Sequence, residues 1–118
     1  ELQFLSLFLM AAFYIIAGLS HFRLPKFFVK ITPVWVPAPK KVNILIGIVE
    51  MLLGFLLLVP ATTALAAWGI VVLLILVFPA NIRHHQLVLK KGKNPWPTLL
   101  RLPLQLLLIW WAYSFTSM

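Results

Sequence analysis

Residues 42–59 read VNILIGIVEMLLGFLLLV. A helix of that length rises about 27 Å, close to the ~30 Å of hydrocarbon in a bilayer. The run holds one ionisable group, Glu50, near its middle. An acid at the centre of an apolar helix is costly. Such groups face protein or a water-filled cavity and have a partner or a function. The whole chain of 118 residues has two acidic residues, Glu50 and Glu1, against ten basic ones. The fold is therefore read as a cage built around Glu50.

Outward from that run the chain repeats the same theme. It is 63% hydrophobic and 10% charged, a composition foreign to small soluble domains and expected of one polytopic membrane domain, residues 1–118. Further apolar spans are expected at 2–19, 64–82 and 98–117. The first is expected to be a retained span, not a signal peptide, and the initial Glu suggests a few missing N-terminal residues. Between the first two spans lies HFRLPKFFVKITPVWVPAPKK, residues 21–41. Its part from Phe22 to Ile31 alternates apolar and basic groups as a short interfacial helix does, and Pro33, Pro37 and Pro39 then oppose regular helix. Pro60 and Ala61-Thr62-Thr63 make a turn tight enough to force spans two and three to be antiparallel neighbours. Gly18 and Ala17 in span one, and Gly47 and Gly54 two turns apart in span two, suit close helix approach. Pro79 is expected to loosen the end of span three. Trp110, Trp111 and Tyr113 form an aromatic belt, with Trp35 and Trp96 as interface anchors.

The basic residues fix an orientation. Five Lys or Arg fall in 21–41, four in 83–97, and none in the 60–63 turn or at either end as given; Arg101 lies within span four. The positive-inside rule puts both basic loops in the cytoplasm and both termini outside. The formal charge of +8 is thus assigned to topology and anionic lipid, not to nucleic acid. With no cysteine, thiolate nucleophiles, disulfide exchange and Fe–S ligation by this chain are excluded. No glycine-rich phosphate loop or H-E-x-x-H motif occurs.

Five polar residues fall at overlapping depths in the cytoplasmic half: His21, Glu50, Asn81, Arg101 and Gln105. Glu50 lies roughly 12 Å in from that side. Gln105 stands one turn beyond Arg101 on the same face. The expected pairing is Glu50 with Arg101, a carboxylate against guanidinium donors, with the other three supplying hydrogen bonds. This set reads as a structural polar knot that fixes helix register, as a pocket for a small ligand in which Glu50 or His21 exchanges a proton, or as a face for a partner. His84-His85 with His21 make a weak metal or haem candidate, because adjacent histidines on a helix point about 100° apart; no metal site is expected.

Several stretches are similar to the DoxX-like family: Gly18-Leu19-Ser20-His21-Phe22 with Pro25, the spacing of Pro33, Trp35 and Pro37, GIVEMLLG around Glu50, AAWG at 66–69, FPANI at 78–82 and RLPLQ at 101–105. The resemblance runs over roughly residues 10–112 and its motifs occur in order. It implies an all-α membrane protein, an antiparallel four-helix transmembrane bundle with an interfacial segment between helices 1 and 2, in a bacterial inner membrane. It maps the family's positions onto His21, Glu50, Asn81, Arg101 and Gln105. The function expected on these grounds is an accessory subunit or assembly factor of an inner-membrane complex, whose polar pocket takes a quinone or a lipid headgroup. The alternative is a membrane subunit of a quinone-linked oxidoreductase, which would need a cofactor-bearing partner since this chain encodes no electron carrier. A small transporter is disfavoured by the absence of an inverted repeat. The bilayer, other membrane subunits or further copies of the chain are the expected partners.

Overall fold

The computed structural model describes residues 2–118; Glu1, the second acidic residue, lies outside them. Those residues form five helices, α1 (Leu2–Arg23), α2 (Pro25–Ile31), α3 (Pro39–Leu57), α4 (Thr63–Lys90) and α5 (Trp96–Tyr113), and among them there is no strand. Four long helices pack side by side, and short α2 lies across one end. Helices α1 and α4 are each long and apolar enough to cross a membrane.

Local sequence explains most of the boundaries. Leu24 leaves helical geometry (φ −125°, ψ 52°) because the residue before a proline is disfavoured there, so α1 ends and α2 begins at Pro25. Helix α3 starts at Pro39, three residues before the expected Val42. A proline at a first helical position costs nothing, since that N–H has no intrahelical partner. Ala38, just before it, holds a left-handed φ of 45° where the chain turns into α3. At the other end of α3, the Thr62 and Thr63 hydroxyls donate to the carbonyls of Leu56 and Leu57, both at 2.8 Å, and satisfy groups the helix leaves open.

Helix α4 departs most from expectation. It runs to Lys90, so residues 83–90 of the expected basic loop are helical. Nothing in RHHQLVLK opposes a helix; the break waits for Gly92, at φ +69°. Pro79 stays inside α4 and Pro103 inside α5 without ending either helix. Helix α5 starts at Trp96 and closes at Tyr113, short of the expected 117.

The helices pack as two close pairs, α1 with α3 and α4 with α5, joined along α3 and α4. The first pair meets through its small residues. A Cβ on Gly18 would fall 2.5 Å from the Gly47 carbonyl oxygen, and one on Gly47 would fall 2.8 Å from the Cβ of His21. One full heptad on, Gly54 sits so that a Cβ would lie 2.9 Å from the Ala11 carbonyl oxygen. Backbone thus lies on backbone over two turns.

The two ends of the bundle differ. At the end holding the 58–62 turn, Met10, Leu57, Ala67, Ile70 and Ala112 have no exposed surface, and Phe115 almost none. Here Trp111 Nε1 donates to Ser6 Oγ at 2.7 Å and ties α5 to α1. At the opposite end α1 stands apart from α4 and α5, and α2 closes over the gap. All Lys and Arg residues except Arg101 lie toward that second end, in 23–41 and 83–93. Between the ends the outer faces are apolar: Ile16 is 64% exposed, Leu76 67% and Leu106 61%.

The glycine contact makes a stability prediction. Gly47→Leu should cost about 1–3 kcal/mol, because the new side chain meets His21 Cβ and Gly18 backbone, which yield only if α1 leaves α3. Gly69→Ala should cost under about 0.5 kcal/mol, because its Cβ meets only the terminal methyls of Leu53, which can rotate away. Unfolding titrations in detergent, read by far-UV circular dichroism, would compare the two; equal losses would refute the packing assigned to Gly47.

Candidate functional site

The packing of α1 on α3 decides where the polar side chains go. Buried positions on α1 recur at Leu7, Met10, Ala11, Tyr14, Gly18 and His21. On α3 they recur at Asn43, Gly47, Glu50, Gly54 and Leu57. Both series follow the three-and-four spacing of a single helix face. Helical side chains lean toward their own N-terminus. On antiparallel neighbours, His21 and Glu50 therefore lean toward each other, and His21 Nε2 stands 3.6 Å from Glu50 Oε1. That is an ion-pair distance, too long for a good hydrogen bond. The His21 ring stacks on Phe28 of α2, centroids 3.9 Å apart.

The expected Glu50–Arg101 pair does not form: His21–Glu50 is the only contact within 4 Å between a basic and an acidic side chain among the described residues. The reason is the pairing of helices. Arg101 rides on α5, which packs on α4, whereas Glu50 faces α1. Arg101 instead faces Glu50's cavity from another wall.

That cavity has a volume of about 730 Å³ and is lined by all five expected residues, His21, Glu50, Asn81, Arg101 and Gln105. Its walls are otherwise largely apolar, with Phe13, Ile16, Val77 and Leu104 among them. Several of these wall residues are exposed on the outer face, so the cavity opens sideways where α1 parts from α4 and α5. Phe28, Ile31 and Trp35 cover its basic end.

The polar residues divide into two kinds. Asn81 Nδ2 donates to Gln105 Oε1 at 2.9 Å, and Gln105 Nε2 donates to the Leu74 carbonyl at 2.8 Å. This is a closed buried network that locks α5 to α4 at a set register. The other kind is incomplete. Glu50 Oε2, His21 Nδ1 and the Tyr14 hydroxyl are buried without a hydrogen-bond partner. Buried polar atoms are normally satisfied, and a partnerless carboxylate oxygen facing a cavity is suited to an incoming donor.

Four polar cavity residues, Tyr14, Ser20, Thr32 and Asn43, were not singled out as site residues from the sequence, and two of them are buried on the same faces as the expected ones. Tyr14 is two turns from His21 on α1, and Asn43 is two turns from Glu50 on α3. That spacing is the signal that could have found them. Asn43 Nδ2 donates to Thr32 Oγ1 and to the Pro39 carbonyl, both at 2.8 Å, and so fastens the linker after α2 to the start of α3. His84 and His85 do not join the set: His84 meets the Phe27 ring edge-on at 5.0 Å, and His85 Nδ1 bonds Thr98 Oγ1 at 2.8 Å.

A double-mutant cycle tests the closed network. Asn81→Leu and Gln105→Leu should each destabilise by about 1–3 kcal/mol, since each strands a buried polar partner. The double variant should lose less than the sum, with a coupling between about 0.6 and 1.7 kcal/mol. Strict additivity in the same unfolding titration would break the assignment.

Comparison with known proteins adds a family. No curated protein and no solved structure matches the chain. One family model, described as a domain of unknown function (DUF8561), matches residues 10–116, which takes in α1 from Met10, all of α2 to α5 and every cavity residue named above, and the chain belongs to that family.

Proposed function

We propose that this protein sits in a membrane with all four long helices crossing it, and that its lateral cavity binds the polar head of an amphiphile such as a quinone or a lipid. The observation that carries the reading is the cavity itself. Five polar residues drawn from four helices meet in about 730 Å³ of otherwise largely apolar space, with Glu50 Oε2 and the Tyr14 hydroxyl partnerless on its wall. A head group able to donate to the carboxylate and accept from Tyr14 or Arg101 would complete those groups. Its apolar tail would leave between α1 and the α4–α5 pair.

The membrane reading rests on where charge and apolar surface lie. Among the described residues, every charged side chain except Glu50 and Arg101 falls toward one end, while the flanks of α1, α3, α4 and α5 expose leucine, isoleucine and phenylalanine. Monomeric soluble proteins do not carry apolar surface on that scale. By the positive-inside rule the end with α2 is cytoplasmic. The similarity of the motifs around His21, Glu50, Asn81, Arg101 and Gln105 to DoxX-like proteins favours an accessory subunit or assembly factor of a bacterial inner-membrane complex. A cavity that holds a head group without an electron carrier of its own suits that role.

The test is binding in nanodiscs, read by quenching of tryptophan fluorescence on titration with a short-chain quinone. Trp35 lines the cavity and reports directly. Glu50→Gln and Arg101→Leu should each weaken binding about tenfold, as expected for one lost charge-assisted hydrogen bond. Trp110→Phe, on the exposed outer face of α5, should leave it unchanged. A Glu50→Gln variant that binds as tightly as the parent rules the proposal out.

A further inference from the structure

Helix α2 is clasped from both sides. Phe28 stacks on His21 of α1, and Phe27 meets His84 of α4 edge-on at 5.0 Å. One turn past Phe27 comes Lys30, and two turns past His84 comes Lys91. The two lysines are exposed on facing elements, and the positive charge of Lys30 pushes the Lys91 ammonium below the ordinary lysine range. On the adjoining flank of α4 a groove of about 230 Å³ runs under the linker, walled by Pro33, Val34, Trp35 and Ile82, with Arg83 and Gln86 at its polar side. Arg83 Nε, at the groove, and His84 Nδ1, outside it against Phe27, are buried without a partner.

A guanidinium N–H is costly to bury without an acceptor or counter-charge, and the exposed Lys30 and Lys91 add to the positive field at this end. The described chain has none to give at this end, because its only acidic side chain, Glu50, is held against His21 in the cavity. The counter-charge must come from outside. An apolar slot beside a guanidinium, with an indole 71% exposed at its rim, matches the junction of a phospholipid, phosphate against cation and acyl chain against ring and proline.

We propose that the seam between α4 and the α2–linker segment is a binding site for an anionic phospholipid, its phosphate on Arg83 and its net negative charge balanced by Lys30 and Lys91. The site adjoins the cavity and shares Pro33, Trp35 and Pro79 with its wall. It rests on the membrane reading above, not on what the cavity holds. An occupied seam would fasten the segment after α2 over the cavity's basic end, since Pro33 and Trp35 belong to both.

The experiment uses the full chain, delipidated in detergent and placed in phosphatidylcholine nanodiscs, with phosphatidylglycerol then titrated in and bound lipid counted by native mass spectrometry. The expected result is one retained phosphatidylglycerol per chain. Arg83→Gln and the pair Lys30→Gln with Lys91→Gln should each weaken retention on the order of tenfold. The pair Lys40→Gln with Lys41→Gln, which removes the same charge at the start of α3, should change it less than about threefold. Equal loss in that control pair overturns the site in favour of a diffuse basic belt. Displacement of the lipid by millimolar inorganic phosphate overturns it in favour of a free-anion site. Failure to enter phosphatidylcholine nanodiscs at all defeats the membrane reading, and shows itself before any anionic lipid is added.

Discussion

The contact on which the rest depends is the approach of α1 to α3 at Gly18 and Gly47. With no side chain on either residue the two backbones touch, and Ala11 and Gly54 repeat the contact one heptad away. Dispersion over such a surface is worth little per atom pair but is collected along two turns. It also fixes rotation. Once these faces meet, His21 and Glu50 must enter the same space, and Tyr14 and Asn43 flank them. The polar site is a by-product of small-residue packing on neighbouring turns.

Seen that way, the bundle is built from two unlike halves. One half fills its interior with Met10, Leu57, Ile70 and Phe115 and leaves almost no surface. The other half exchanges packing for a cavity and accepts buried groups that nothing satisfies. A structural knot would be expected to close on itself, as Asn81 and Gln105 do with the Leu74 carbonyl. Glu50 and Arg101 face one space without pairing. A buried carboxylate oxygen left without a hydrogen-bond partner is costly, and a head group filling the cavity would relieve that cost.

Much of this was legible in the sequence, for reasons that can be named. Apolar runs punctuated by proline and glycine gave the four long helices, and the alternation from Phe22 to Ile31 gave α2. Five polar residues in apolar surroundings were conspicuous by rarity, and all five line one cavity. What stayed hidden was set by tertiary packing. Which cation meets Glu50 depends on which helices adjoin, and charge alone favoured Arg101 over His21. Tyr14 and Asn43 escaped because each reads locally as ordinary, one as an interface aromatic and the other as a helix-start residue. The end of α4 lies beyond the expected span because a run of basic residues reads as a loop, although Arg, His, Gln and Lys are all tolerated in a helix.

The order in which α1 and α3 leave the ribosome gives their contact a further meaning. Helix α1 is made first, yet its partner follows only after α2 and the proline-rich linker. In a bilayer, α1 would meanwhile present its Gly18 groove and the His21 side chain to lipid or to whatever membrane chaperone attends it. The partnership of α4 and α5, by contrast, is between successive helices joined by a short connection. Assembly would therefore be asymmetric: the second half could form as it emerges, while the half that carries the carboxylate would wait. During that interval α2, if it lay on the bilayer surface, would hold α1 within reach of its partner.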